Sequence, residues 1–334
     1  HHTTSLVFND PPYHTVVRKL LSAGFTPRKL AEMEPLIIKI VNGLLDRLED
    51  LSEFDLVKEY AMALPTEIIS FMLGIPVEHR HKLRQYSLNI LGALDPVVSQ
   101  ERLDEGNFSV EEFGEVLSQI IDHRRSEQTP KSDGEILMAL ILGDVNGQRL
   151  TNTELIQNCI FLLNAGHETT TSMVANSMQM FFSAPDQLNL LKGDPDLITT
   201  AIEEGLRYES PLQVGNRVTT GEVEIGGELL PTGTYIHTSI AGANRDPAEF
   251  NKPEEIDITR KPNRHIAFAM GHHVCLGATL ARMEGRIAIG ELVKRFPKIQ
   301  QTGPAISMGL ALSLIHISEP TRLRRISYAV FCLK

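Results

Sequence analysis

The most constraining feature is a long helical stretch that opens near Thr151 and stops at Pro185. Thr151-Asn152-Thr153-Glu154 fits a capping box, with a hydroxyl at the cap and a carboxylate three residues on. Leu155, Cys159, Leu162, Gly166, Thr169, Met173, Asn176 and Met180 then recur in steps of four and three. One face therefore runs for about seven turns, long enough to cross a whole domain. The middle of this helix breaks the pattern. Ala165-Gly166-His167-Glu168-Thr169-Thr170-Thr171 puts a glycine, an acid and three β-branched hydroxyl residues where leucine would stabilise the helix better. A local rule broken at the centre of an otherwise consistent element is where function is to be sought.

The segments around it read in the same way. Residues 12–210 are mostly helical: Leu36, Ile40, Leu44, Leu48 and Leu51 recur at helical spacing, as do Val116, Ile120 and Ile121. Pro65, Pro76, Pro96 and Pro130 divide the stretch into a series of helices. Asp194-Pro195 opens a further helix that ends before Pro211. From Val214 to about Ile240 the pattern changes to short β-like runs separated by Gly226-Gly227 and Pro231-Thr232-Gly233. A loop-rich stretch from Asn244 to Val274 leads into a last helix, expected from Cys275 to Phe296. There is no internal repeat and no linker, so the expectation is one mainly α domain of the α+β kind with small β-sheets.

Composition narrows the class. Lys and Arg number 32 and Asp and Glu 42, a net charge of −10 that disfavours non-specific nucleic-acid binding. Cys159, Cys275 and Cys332 are too few and too far apart for a disulfide framework and point to a reducing compartment, hence the cytoplasm. No run of about 18 apolar residues suggests a membrane span. The chain opens at His1-His2 without Met, which reads as a truncated start. From about Ser313 the text changes character, with four basic residues (Arg322, Arg324, Arg325 and Lys334) against one acid, Glu319. Residues 313–334 resemble a translated sequencing-adapter read-through, the alternative being a genuine C-terminal strand. The expected domain is therefore residues 1–312.

The most informative decapeptide is Phe268-Ala269-Met270-Gly271-His272-His273-Val274-Cys275-Leu276-Gly277. It sets one cysteine after a loop, at a helix start, between two glycines. Free amides at a helix N-terminus favour thiolate over thiol. Gly271 and Gly277 let a flat, bulky partner approach the backbone. Those are the requirements of a thiolate ligand to haem iron. Two other readings stand beside it: a buried cysteine acting as a small hydrophobe, and a zinc site drawn from His265, His272, His273 and Cys275.

This decapeptide resembles the Phe-Gly-x-Gly-x-His-x-Cys-x-Gly signature of the cytochrome P-450 superfamily, the haem-thiolate monooxygenases, with Ala269 where glycine is usual. The resemblance implies the fold of that family, many helices around a buried haem b with small sheets. It implies that Cys275 ligates the iron and that Phe268 covers the proximal face near the sulfur. It extends to Ala165-Gly166-His167-Glu168-Thr169-Thr170, which resembles the family's oxygen-activation motif. There Ala165 and Gly166 leave room for dioxygen, and Glu168 and Thr169 relay protons. Hydroxyls bonding back to the preceding helical turn are the alternative for that run. Glu204-Gly205-Leu206-Arg207 matches the Glu-x-x-Arg motif, with Arg260 as the third member of a buried structural cluster. Ala243-Asn244-Arg245-Asp246-Pro247 matches another structural stretch. His14, Arg18, Arg217 and His273 match the donors that hold the haem propionates.

Together the motifs cover roughly residues 8–304 in the family's order, in a form similar to the soluble bacterial members. The implied reaction inserts one atom of O2 into a hydrophobic small-molecule substrate. Electrons would come from a ferredoxin or flavodoxin and its NAD(P)H-dependent reductase, docked near Lys19, Arg282 and Arg286. Leu163, Val214 and Leu91 would be the apolar residues near the substrate. The enzyme is expected to be a monomer that binds neither nucleic acid nor membrane. The alternatives are a peroxide-driven peroxygenase and a fragment that, as given, is inactive and poor in haem. The intact Glu168-Thr169 pair ranks the peroxygenase lower.

Overall fold

A computed structural model describes residues 4–93, 98–127, 136–307 and 315–317. Pro96, Pro130 and Cys332 lie outside the described residues. The helices are α1 (Tyr13–Ser22), α2 (Pro27–Leu48), α3 (Ala63–Met72), α4 (Val77–Gly92), α5 (Gln100–Glu127), α6 (Leu137–Leu142), α7 (Asn152–Ser183), α8 (Pro185–Gly193), α9 (Ile198–Tyr208), α10 (Ile240–Ala243) and α11 (Ala278–Arg295). The strands are β1 (Val214–Val218), β2 (Val223–Ile225), β3 (Glu228–Leu230), β4 (Tyr235–Ser239), β5 (Ala305–Ser307) and β6 (Ile315–Ile317).

The helix ends follow from local chemistry. The Thr151 hydroxyl accepts the Glu154 N–H at 3.2 Å, and the Glu154 carboxylate accepts the Thr151 N–H at 2.7 Å, closing the capping box of α7. Thr26 caps α2 just ahead of Pro27. Asp194 caps a 3₁₀ turn, Pro195–Leu197, that leads into α9. Pro76 stands at the cap of α4 and Pro185 at the first position of α8.

At 32 residues α7 is about 48 Å long. It packs against α3, α4, α5, α9 and α11. Leu155, Cys159, Leu163, Val174, Met178 and Phe181 are almost wholly enclosed, as are Ile37, Leu45, Tyr60 and Phe113 around it. Each buried side chain of this size contributes about 1.5–3 kcal/mol. Tyr60, in a π turn before α3, donates its hydroxyl to the Ala288 carbonyl at 2.7 Å and ties α11 to the same core.

Among the described residues three two-stranded antiparallel sheets accompany the helices: β1 with β4, β2 with β3, and β5 with β6. Gly226 and Gly227 join β2 to β3 with φ of +61° and +86°, the left-handed backbone of a tight hairpin turn. The pair β5–β6 carries the described fold to Ile317, five residues past the boundary expected from the sequence.

The Glu-x-x-Arg motif is the polar centre of the loop-rich region. Glu204 and Arg207 are fully buried. Arg207 donates Nε and Nη2 to the Glu204 carboxylate, both at 2.8 Å, and its remaining N–H groups to the carbonyls of Asn244, Pro253 and Glu255. Arg260 Nε joins at 3.1 Å, with Asn263 and the Asp257 N–H, so every lone pair of Glu204 faces a donor. Asn244 accepts the Ile266 N–H and donates to Ser210, pinning the same loops to α9. The expected cluster of Glu204, Arg207 and Arg260 is thus assembled, and it holds the segment that leads to Cys275.

One helix start differs from the expectation. The last helix begins at Ala278, capped by Gly277, and not at Cys275. Cys275 sits in the turn before it, where its N–H donates to the Phe268 carbonyl at 2.8 Å. That bond closes the loop on itself, so Cys275 belongs to the loop.

Candidate functional site

The long helix is buried along most of its length and opens at its centre. Ala165 is exposed and Gly166 and Thr169 are half-buried, while His167, Glu168, Thr170 and Thr171 beside them are enclosed. The opening faces a cavity of about 290 Å³ whose opposite wall is the loop from Ala267 to Gly277. Ala165, Gly166 and Thr169 thus look across apolar space at Phe268, Cys275 and Gly277. Ile69, Met72, Phe161, Leu162, Met173 and Leu280 supply much of the remaining surface.

Thr169 is compatible with both readings of its motif. Its hydroxyl donates back to the Ala165 carbonyl at 2.7 Å, and it also lines the cavity. Glu168 is enclosed one residue away and is not part of the lining. Successive helix residues differ by about 100°, which turns Glu168 away from the opening that Thr169 lines. The substrate-facing residues expected from the sequence are also outside the lining. Leu163 is buried on another flank, and Val214 and Leu91 do not line the cavity.

Burial pushes the Cys275 thiol up, against the opposing pull of the Gly277 N–H, Arg18 and Arg282. Coordination to a metal deprotonates a thiol regardless. Among the described residues no three His, Cys, Asp or Glu side chains converge as metal ligands, and His265 is committed to Glu203 at 2.9 Å. The zinc arrangement is therefore not assembled.

The rim carries cations. Arg18 lines the cavity and donates to the Val274 carbonyl at 2.7 Å. The His14 and His273 rings meet at a tilt of 50° with centroids 4.4 Å apart. His14 is 2% exposed, yet neither ring nitrogen has a partner among the described residues. Burial first, then His273, Arg18 and His272, lower its pKa. His273 also reaches the Asp10 carboxylate at 3.3 Å. A second depression, shared by His14, Arg18 and Gly271, continues from this rim. Arg217 does not join them: it is exposed on β1 and donates to the adjacent Asn216 carbonyl at 2.7 Å.

These features fit a flat, largely apolar group bearing carboxylates. A Cβ added at Gly271 or Gly277 would meet nothing within 4 Å, so both positions leave open space. The orphaned His14 nitrogens and the Arg18 guanidinium suit carboxylates.

The sequence profile of the cytochrome P-450 family matches residues 1–188 and 196–322. The chain belongs to the cytochrome P-450 family. It is 36% identical over 294 residues to a biotin biosynthesis cytochrome P-450 of Bacillus subtilis (strain 168), covering 88% of this chain and 73% of that one. Among solved structures it is similar to the P-450 BioI in complex with acyl carrier protein carrying hexadec-9Z-enoic acid, with a TM-score of 0.89 and 34% identity. That match covers 93% of this chain and 80% of the other. It is also similar to CYP109E1 of Bacillus megaterium in complex with testosterone, with a TM-score of 0.85 and 32% identity over 94% of this chain and 87% of the other. This P-450 is accordingly a monooxygenase enzyme with the P-450 fold expected from its motifs. Cysteine-ligated haem iron is the family's cofactor. No helix among the described residues is long and apolar enough to cross a membrane.

Two residues of this P-450 site escaped the sequence reading. Glu284, on α11, lines the cavity while 4% exposed, and its Oε2 has no partner among the described residues. Burial pushes its pKa up to about 8. Its four-residue step from Leu280 was the available signal. Glu203 is the other. Burial opposes its ionisation, but hydrogen bonds from His265 and Arg282 hold it down at about 2. Arg282 and Arg286, expected as docking cations, are engaged with Glu203 and Glu34.

Proposed function

We propose that Cys275 ligates haem b in this cavity and that the enzyme hydroxylates or otherwise oxygenates a hydrophobic organic molecule. The observation that carries this reading is the opening at the centre of α7, at Ala165, Gly166 and Thr169, which shares one cavity with the Cys275 loop. Haem bound there would supply the binding and reductive activation of dioxygen.

The chain's own residues divide the remaining work. Cys275 Sγ would bind the iron, with Phe268 beside it and the Gly277 N–H directed at it. Arg18, His14 and His273 would bind the carboxylates at the rim; Arg217 would take part only after its side chain turns from the Asn216 carbonyl. Gly271 and Gly277 would let the flat group approach the backbone. Ala165 and Gly166 keep space open on the α7 side. Thr169 Oγ1 would hand a proton into the cavity, and Glu168 would resupply it through water. The apolar walls exclude bulk water and favour an apolar substrate. The Glu168-Thr169 pair favours this O2-dependent reading over a peroxide-driven one.

Electrons would arrive singly from a ferredoxin or flavodoxin served by an NAD(P)H-dependent reductase. Lys19, beside His14 and Arg18 at the rim depression, would be the docking cation. The enzyme would work as a single domain in the reducing cytoplasm, its described cysteines Cys159 and Cys275 both free. Two of the similar P-450 structures are complexes with an acyl chain on a carrier protein and with a steroid. Both are large apolar molecules, the class this cavity suits.

The test is turnover under labelled dioxygen with a surrogate ferredoxin and reductase. One labelled oxygen atom in the product of an apolar substrate supports the reading. Product without label, or turnover only with added peroxide, contradicts it.

A further inference from the structure

The fate of Arg282 carries one further inference, which rests on the reading of Cys275 as a haem ligand. Arg282 lies seven residues beyond Cys275, in the first turns of α11. Its Nε donates to Glu203 Oε1 at 2.7 Å and its Nη2 to Oε2 at 2.9 Å, a two-pronged grip. Its guanidinium carbon stands 4.5 Å from the centroid of the Phe268 ring. Stacking and fork together fix all the freedom the side chain has, although it remains 42% exposed.

The anchor is itself anchored. Glu203 also accepts from His265 Nε2 at 2.9 Å. The Ala267 N–H donates to His265 Nδ1 at 3.2 Å, which assigns the ring proton to Nε2. His265 is 2% exposed at its side chain, so this circuit has no slack. It runs from α9 through His265 into the Ala267-Phe268 backbone, and returns through Arg282 from α11. Phe268 in turn accepts the Cys275 N–H at 2.8 Å and shares the cavity wall with Cys275.

We propose that Arg282 is a positioning residue: clamped by Glu203, it fixes the Phe268 ring and keeps the positive end of this ion pair against the ring that shares the cavity wall with Cys275, and so raises the electron affinity of the iron. The physics is direct. Reduction adds negative charge to the ligated centre, and a nearby fixed cation stabilises that charge more in a half-buried site than in water. A cation on a flexible stem, such as lysine, keeps the charge but loses both the fork and the stack.

The experiment uses the haem-loaded protein with Arg282→Gln and Arg282→Lys. The readouts are the midpoint potential by spectroelectrochemical titration, the position of the reduced carbon monoxide band, and KM for the ferredoxin. Arg282→Gln is expected to shift the midpoint potential negative and to move the band, with haem content unchanged. Arg282→Lys is expected to shift the potential the same way by a smaller amount. A wild-type potential in Arg282→Gln overturns the proposal. So does a change confined to ferredoxin KM, which would make Arg282 a docking cation. Should Arg282→Gln fail to fold, a wild-type potential in Arg282→Lys overturns it alone, because a generic charge would then suffice. If the wild-type band is not that of thiolate ligation, the reading beneath the proposal fails, and the proposal with it, whatever the variants do.

Discussion

Glu284 is a carboxyl buried against an apolar cavity, and its state sets a pH dependence. Its folded pKa, about 8, lies above the ordinary value of 4.5. Between those two values the folded protein keeps a proton that the unfolded chain releases. Stability from this group is therefore fully present below about pH 4.5 and is lost as pH rises towards 8, by up to about 1.4 kcal/mol per pH unit. Glu284→Gln is neutral throughout, so its thermal midpoint should gain on the wild type as pH increases across that window. A difference independent of pH would contradict the assignment. Comparison with the Gln variant cancels His167, whose pKa burial and then Arg84 lower to about 4, with the opposite sign at lower pH. Ala269 makes a second prediction at this scale. Its φ is +57°, the left-handed region, where a side chain costs about 1–2 kcal/mol. Ala269→Gly should therefore raise the unfolding free energy by roughly 1 kcal/mol in denaturant titration. The motif position of Ala269 was legible in the sequence as a departure from glycine. Its strain was not, because backbone handedness is a property of the folded loop.

At the scale of elements, α7 shows what a sequence can and cannot specify. Its cap, its stop at Pro185 and its odd centre were readable because helix ends and periodicity are local. Thr151→Ala removes one half of the capping box and should cost about 1 kcal/mol in denaturant unfolding, leaving the ligand spectrum of the site unchanged. No loss of stability would mean the helix start is fixed by packing alone. The facing of individual side chains was less readable. Leu163 and Glu168 lie next to cavity residues in the chain and about 100° away in space. The start of α11 was misjudged by three residues because the Cys275 N–H is taken by Phe268, a partner seven residues back that no periodicity reveals. Arg217 stayed apart from the rim cations because a strand residue's direction depends on its free rotamers.

At the scale of the whole molecule, the buried Glu204–Arg207–Arg260 cluster joins α9 to the loops that carry Cys275. Its three residues were legible as motif partners, whereas its contacts to backbone carbonyls and to the Asp257 N–H follow only from tertiary packing. Glu204→Ala would leave two guanidinium groups without their counter-ion in a dry interior. It should cost about 3–5 kcal/mol and reduce haem content as the Cys275 loop loosens. Wild-type stability in that variant would show the cluster to be dispensable. The central claim is that the cluster, the long helix and the loop converge on one purpose, presenting the Cys275 sulfur to a haem iron across from Ala165 and Gly166. The carbon monoxide difference spectrum of the reduced, haem-loaded protein tests it most directly, recorded beside Cys275→Ala. The account predicts the band of thiolate-ligated haem in the wild type and its loss in Cys275→Ala. A band typical of histidine ligation, no haem band at all, or a band that survives in Cys275→Ala would contradict it.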